Sequence, residues 1–172
     1  MNNDLYRNKY RIQTNRLQAW DYSSSGWYFI TVCTKNRRHL FGEIIDKHMY
    51  LSELGHFTVC SWLAMERIFS VMVNNAWVVM PNHTHFLFGI RNPKSILEPN
   101  EFGKTVKNSV SSIINHFKGR VTKYAQKEKI EFQWQTRFYD HIVRNEEEFN
   151  TIKNYIINNP KNWKIDKFYD NE

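Results

Sequence analysis

His83 and His85, separated by one residue and followed by the apolar run Phe86-Leu87-Phe88-Gly89-Ile90, are the side chains best suited to chemistry in this sequence. Side chains alternate between the faces of a strand, so two imidazoles two positions apart point the same way and can grip one ion together. Tyr155 stands four positions before Asn159, and Pro160 follows at once. Positions four apart stack on one face of a helix, so the Asn159 carboxamide could complete a metal site that the Tyr155 hydroxyl overlooks. A metal beside a tyrosine suggests phosphoryl transfer onto that tyrosine. Each segment alone also has a plain structural explanation. Paired histidines in an apolar strand are often packed and hydrogen-bonded, and an amphipathic tyrosine suits a half-buried helix face.

The elements that must position these residues can be read from periodicity and turn chemistry. Ser23-Ser24-Ser25-Gly26 marks a turn before a strand over Trp27 to Thr34. Leu51, Leu54, Trp62, Met65 and Phe69 recur at helical spacing and predict a core helix between Tyr50 and Phe69, weakened slightly by Gly55. A short strand from Trp77 to Met80 turns at Pro81-Asn82 into the histidine strand, and an exposed loop is expected over 91–100. From Phe102 the residues Val106, Val110, Ile113, Ile114 and Phe117 predict a second helix with Lys104, Lys107 and Lys118 outward, which Gly119 could end or interrupt. The charged stretch 122–131 has no clear structure. Phe138 to Val143 reads as a strand, and Asn145 with Glu148 reads as the cap of a final helix that Pro160 ends. Residues 1–22 form a basic N-terminal segment, and 161–172 read as a peripheral polar tail of a single domain spanning 1–172. This order favours an α+β layer of antiparallel sheet with helices on one face.

Composition narrows the partners. The 24 Lys and Arg against 17 Asp and Glu leave a formal charge of +7, which favours a polyanion through counterion release. Lys35, Arg37 and Arg38 in one loop, and Lys104, Lys107, Lys118, Arg120 and Lys123 near the second helix, are candidate phosphate contacts, with solvated surface as the alternative. Trp134 and Phe138 could stack bases or fill the core. The two cysteines, Cys33 and Cys60, fit neither a disulfide framework nor a thiolate metal site. With no membrane-length apolar stretch and no signal-peptide core, the expectation is a cytoplasmic, nucleoid-associated protein without a membrane partner.

Four ordered motifs carry a family resemblance: Tyr28-Phe29-Ile30-Thr31-Val32-Cys33-Thr34-Lys35-Asn36-Arg37-Arg38, Trp77-Val78-Val79-Met80-Pro81-Asn82-His83-Thr84-His85, Trp134-Gln135-Thr136-Arg137-Phe138-Tyr139-Asp140-His141, and Tyr155-Ile156-Ile157-Asn158-Asn159-Pro160. Together they resemble the REP-associated tyrosine transposases of the single-tyrosine HUH nuclease superfamily, over roughly Arg16 to Trp163. The resemblance implies a ferredoxin-like antiparallel sheet with helices packed on one face, the histidines on a central strand and a C-terminal catalytic helix. It implies a metal-dependent single-strand DNA endonuclease and strand-transfer enzyme forming a covalent 5′-phosphotyrosine at Tyr155. His83 and His85 would be metal ligands with Asn159 as the third, and Mg2+ or Mn2+ the ion. The implied DNA is single-stranded or a hairpin of REP-like palindromic type, bound by a monomer rather than a dimer. Thr84 departs from the usual bulky hydrophobe between the histidines and bears on packing behind the strand. Tyr139 is the rival nucleophile, and Asp140 and His141 are reserve catalytic groups whose plain reading is a strand-end salt link. The alternatives are a non-catalytic hairpin-binding module on the same fold and a relaxase-like nicking role.

Overall fold

The computed structural model describes residues 22–91 and 106–169. Lys104, the segment before Tyr22 and the expected loop beyond Arg91 lie outside the described residues. The chain runs β1 (Gly26–Cys33), β2 (Gly42–Ile45), β3 (His48–Leu51), α1 (Glu53–Ile68), β4 (Met72–Val79), β5 (His83–Ile90), α2 (Val110–Lys127), β6 (Tyr139–Val143) and α3 (Glu146–Asn158). Short 3-10 turns at Lys35–Arg37 and Pro160–Ile165 follow β1 and α3.

Four strands form an antiparallel sheet in the order β4-β5-β1-β6. The crossover from β1 through α1 to β4 leaves a gap that β5 fills, and the crossover from β5 through α2 to β6 leaves one that β1 fills. That is the split β-α-β arrangement of a ferredoxin-like sheet, as the resemblance implies. The histidine strand β5 is central.

Both faces of this sheet are covered, and the alternation of β5 decides what each covers. Phe86, Phe88 and Ile90 enter the large core beneath α1 and α2, where Trp62 stacks on Phe86 at 3.6 Å. Leu87 enters a smaller core on the other face with Phe29, Ala76 and Ile156 of α3. The whole of β5 is therefore buried, and its second half, Phe86 to Ile90, reads as a continuous apolar run. Thr84 lies on the α1/α2 face, buried, with its hydroxyl 3.5 Å from the Val32 carbonyl. Gly55 weakens α1 as a helix former but permits its contact, because a Cβ there would sit 2.1 Å from the Phe41 carbonyl oxygen.

Several elements differ from expectation. Helix α2 passes through Gly119, where an added Cβ would meet nothing within 4 Å, and continues to Lys127 across part of the charged stretch. Strand β4 begins at Met72 rather than Trp77, its first half hidden in the sequence by Asn74, Asn75 and a bulge between Asn74 and Ala76. The β2–β3 hairpin was not anticipated, since its short strands are half-exposed; its turn residues Asp46 and Lys47 both have positive φ, as a two-residue hairpin loop requires. The tail is not peripheral as far as Tyr169: Trp163 is buried, and Asp166 and Phe168 lie against the two histidines.

Helix α3 lies across the second face and carries the tyrosine. Its N-cap is the expected one, with the Asn145 side chain accepting from the Glu148 N–H at 2.8 Å. Glu148 answers one residue earlier than a capping box would, accepting from the Arg144 N–H at 2.7 Å, while its other oxygen takes His141 Nε2 at 2.6 Å. These bonds, the Arg144 N–H first, hold the Glu148 carboxyl below its ordinary range. Phe149, Ile152 and Ile156 pack downward onto Phe29, Ala76, Leu87 and Val143. Because cap and packing fix the helix jointly, Asn145→Ala should lower stability by about 1 kcal/mol in urea unfolding. An unchanged midpoint would show that packing alone holds α3.

Candidate metal and tyrosine site

The α3 face of β5 presents His83 and His85 side by side, both fully buried, with their Nε2 atoms 3.1 Å apart. Each ring is held at its other nitrogen. Asn82 Nδ2 donates to the Phe168 carbonyl at 2.9 Å, so its Oδ1 faces His83 Nδ1 at 2.8 Å and places that ring's proton on Nδ1. Thr31, from the adjacent strand, puts its hydroxyl 2.8 Å from His85 Nδ1. Both Nε2 atoms thus face one point, with polar partners behind each ring of the kind that orient metal-binding histidines.

Burial pushes His83 down to about 3, with the Lys167 and Arg37 charges adding to burial and the Asp166 charge opposing it. Burial, then the neighbouring His83, holds His85 well below the ordinary imidazole range. Neutral imidazoles are the ligand form.

Tyr155 stands on α3 with its hydroxyl 3.2 Å from His85 Nε2, donating to Asp166 Oδ2 at 2.9 Å. Its ring packs edge-on to Phe29 at 6.2 Å, so the sheet and the helix both locate it. Burial, then the hydrogen bond and charge of Asp166, push its phenol above the ordinary range. Asn159, buried at the helix end, donates from Nδ2 to the same carboxylate oxygen at 2.7 Å. Its Oδ1 is buried with no hydrogen-bond partner among the described residues.

Asp166 is the residue that sequence reasoning missed. His83, His85 and Asp166 offer ligand atoms that all lie within 4.8 Å of one another, a group that could hold a metal ion. The donor set fits: two nitrogens bound about 2.1 Å from one ion at right angles lie about 3.0 Å apart, close to the observed spacing. No motif marks Asp166, because a 3-10 turn rather than a helix returns it to the site. The only signal was its short distance beyond Pro160.

Other expected residues separate. Tyr139 is half-exposed on the same face, edge-on to Phe29, but no hydrogen bond joins it to either imidazole. Asp140 pairs in register with Ile30 and so faces the α1/α2 side, which corrects its place as a reserve catalytic group. His141 lies on the site's face but is taken up by Glu148, the strand-end link of its plain reading. Trp134 packs with Phe41, Phe117 and Phe132, and Phe138 joins the same core, so both have the core role. Lys35, Arg37 and Arg38 are exposed together, with Arg38 3.3 Å from Glu131. Lys107 and Lys123 are exposed, Arg120 is half-buried, and Lys118 turns inward to donate to the Gln135 carbonyl at 2.9 Å. Cys33 is buried and pushed up to about 11 by that burial, so it is an inert thiol; Cys60 is exposed.

A family model described as "Transposase IS200 like" matches residues 22–159. The chain belongs to the IS200-like transposase family. A Haemophilus influenzae protein described only as uncharacterized is 35% identical over 163 residues, covering 90% of this chain and 91% of its own. The solved structure of a REP-associated tyrosine transposase bound to a REP hairpin superposes with a TM-score of 0.62 at 20% identity, over 88% of this chain and 74% of that one. The transposase therefore shares that protein's fold. No helix among its described residues is long and apolar enough to cross a membrane.

The buried imidazoles also link stability to pH. Unfolded imidazoles titrate near 6.5 and the folded pair far lower, so the folded transposase binds fewer protons; stability is full above about 6.5 and is lost as pH falls toward 3. Urea midpoints of the metal-free transposase should hold between pH 8 and 7 and fall below about 6.5. A His83→Gln, His85→Gln double variant should show a shallower fall. The same slope in both proteins would place the acid sensitivity elsewhere.

Proposed function

We propose that this transposase cuts and rejoins single-stranded DNA beside a hairpin, with Tyr155 as the nucleophile. The observation that carries this reading is the Tyr155 hydroxyl held 3.2 Å from the Nε2 of its own chain's His85. Tyrosine, histidines and carboxylate come from one chain, which supports action as a monomer. The basic loop after β1 and the fold shared with a REP-hairpin-binding transposase support a palindromic DNA hairpin as the partner.

His83, His85 and the orphaned Asn159 Oδ1 would hold a divalent ion, Mg2+ or Mn2+, within reach of Asp166. Such an ion supplies Lewis-acid polarisation of a non-bridging phosphate oxygen. Tyr155 Oη attacks phosphorus while its proton passes to Asp166 Oδ2, already its acceptor. The bond from phosphorus to the 3′ oxygen breaks, that oxygen takes a proton, and the products are a free 3′-hydroxyl and a 5′-phosphotyrosine. Reversal by another 3′-hydroxyl rejoins the strand without ATP. A phenol raised above its ordinary range is a weak nucleophile by itself, so the proton acceptor and the polarised phosphate are both required.

Tyr155→Phe should abolish the covalent adduct on hairpin DNA while binding persists, and Tyr139→Phe should keep the adduct. The reverse pattern on a denaturing gel would transfer the nucleophile to Tyr139. His83→Ala, or chelator without added Mg2+ or Mn2+, should also stop cleavage; full cleavage under chelation would remove the ion from the mechanism.

The polar partner behind His85 gives a second test. Thr31→Val should weaken Mn2+ binding by about 10- to 100-fold in calorimetric titration. Asp166→Asn should lose adduct formation while retaining Mn2+ affinity if the carboxylate serves as proton acceptor. Lost affinity would make it a ligand instead.

A further inference from the structure

Asn82 is fully buried in the turn between β4 and β5, and its backbone is held on both sides. Its carbonyl accepts from the Thr34 N–H at 2.9 Å and from the Thr34 hydroxyl at 3.0 Å, and the preceding Pro81 carbonyl accepts from the Phe41 N–H at 3.0 Å. From this fixed base the carboxamide joins two distant parts of the chain. Nδ2 donates to the Phe168 carbonyl at 2.9 Å, and Oδ1 lies 2.8 Å from His83 Nδ1.

The two contacts have different chemical force. A carbonyl only accepts, so Phe168 decides which end of the amide it faces, and the amide oxygen is left for His83. That oxygen also only accepts, so the single proton of the neutral ring sits on Nδ1 and Nε2 keeps its lone pair toward the site. A reversed amide would donate to Nδ1, move the proton to Nε2 and leave no lone pair there for an ion. The Phe168 carbonyl is itself held by its own turn. The Phe168 N–H donates to Asp166 Oδ1 at 2.7 Å, the Tyr169 N–H donates to the Asp166 carbonyl at 2.9 Å, and the Phe168 ring packs 4.5 Å from that of His83. His85 is constrained differently. Its Nδ1 partner is the Thr31 hydroxyl, which can donate or accept. With His83 Nε2 an acceptor, the 3.1 Å contact between the rings is completed by a proton on His85 Nε2.

We propose that Asn82 is a positioning residue through which the turn over 166–169 sets His83 as a ligand before an ion arrives, while His85 is the ring that adjusts. The proposal rests on the metal reading above and adds a residue that acts on the ion only through His83. On ion uptake the His85 proton is exchanged from Nε2 to Nδ1, and the Thr31 hydroxyl turns from donor to acceptor. Neither ring gains or loses a proton in total. The turn thus contributes to ion binding through the Phe168 carbonyl, separately from the Asp166 carboxylate.

Long-range 1H–15N NMR on the full chain locates the ring protons at neutral pH. Metal-free wild type should show His83 protonated on Nδ1 and His85 on Nε2, and saturating Mg2+ should move the proton of His85 alone. Asn82→Leu, which keeps the bulk and loses the amide, should shift His83 toward the Nε2 form and weaken Mn2+ binding by about 10- to 100-fold in calorimetric titration. Phe168→Gly, which removes nothing from either hydrophobic core, should loosen the carbonyl and give a mixed His83 population. It decides the question if Asn82→Leu fails to fold. A wild-type His83 protonated on Nε2 would overturn the proposal, as would a lower urea midpoint in the variants with the ring protons unmoved, the mark of a purely structural residue. A shift in Asn82→Leu without one in Phe168→Gly would overturn the part played by the turn. Wild type that shows the expected ring protons but takes up no Mn2+ would bring down the metal reading, and the role of Asn82 with it.

Discussion

Two neutral imidazoles buried side by side in the middle of a sheet set the terms for much of this structure. An unpaired polar group in that position costs on the order of 1–3 kcal/mol, so each ring nitrogen needs a partner that the fold must deliver. Asn82 and Thr31 deliver two, from the turn before β5 and from the neighbouring strand. The two remaining nitrogens face each other and the Tyr155 hydroxyl. Satisfying the rings therefore fixes the pairing of β1 with β5 and the seat of α3. Both ring orientations are thus set by protein hydrogen bonds alone.

The same pairing explains why the apolar part of the fold divides so unequally. One face of β5 sends three large side chains into the core beneath α1 and α2, whereas the histidine face offers α3 only Leu87 at its far end. Helix α3 compensates with side chains from β1, β4 and β6 and with a cap that ties its first turn to His141 through Glu148. His141 thus helps to hold the first turn of the helix that carries Tyr155.

What was legible in the sequence is what local rules control. The alternation of β5, the cap at Asn145 and the stop at Pro160 each follow from the neighbours of the residue concerned, and each appears where the sequence puts it. The placing of His83, His85, Tyr155 and Asn159 in one site was legible because two short periodicities and a family motif coincided. The return of Asp166 was not, since a tight turn followed by extended backbone has no repeat to read. Asp140 and Lys118 were misjudged for a related reason: titratable type and charge say nothing of direction, and the register of β6 and the packing on Trp134 turned both away from their expected roles.

The segment around Asp166 bears on how the site meets a strand. Its carboxylate ties together Tyr155, Asn159 and the backbone of Phe168, and the Phe168 ring lies 4.5 Å from that of His83. These contacts set the Phe168 ring against both imidazoles. They are made by a short turn after the last 3-10 helix, closed by the Tyr169 N–H on the Asp166 carbonyl at 2.9 Å. On the DNA reading, a polyanion drawn to Lys35, Arg37 and Lys167 would compete for groups that hold this turn, because Arg37 bonds its backbone and both Arg37 and Lys167 lie over its aromatic ring. On that reading, charge that would attract the strand and charge that secures this stretch are the same charge.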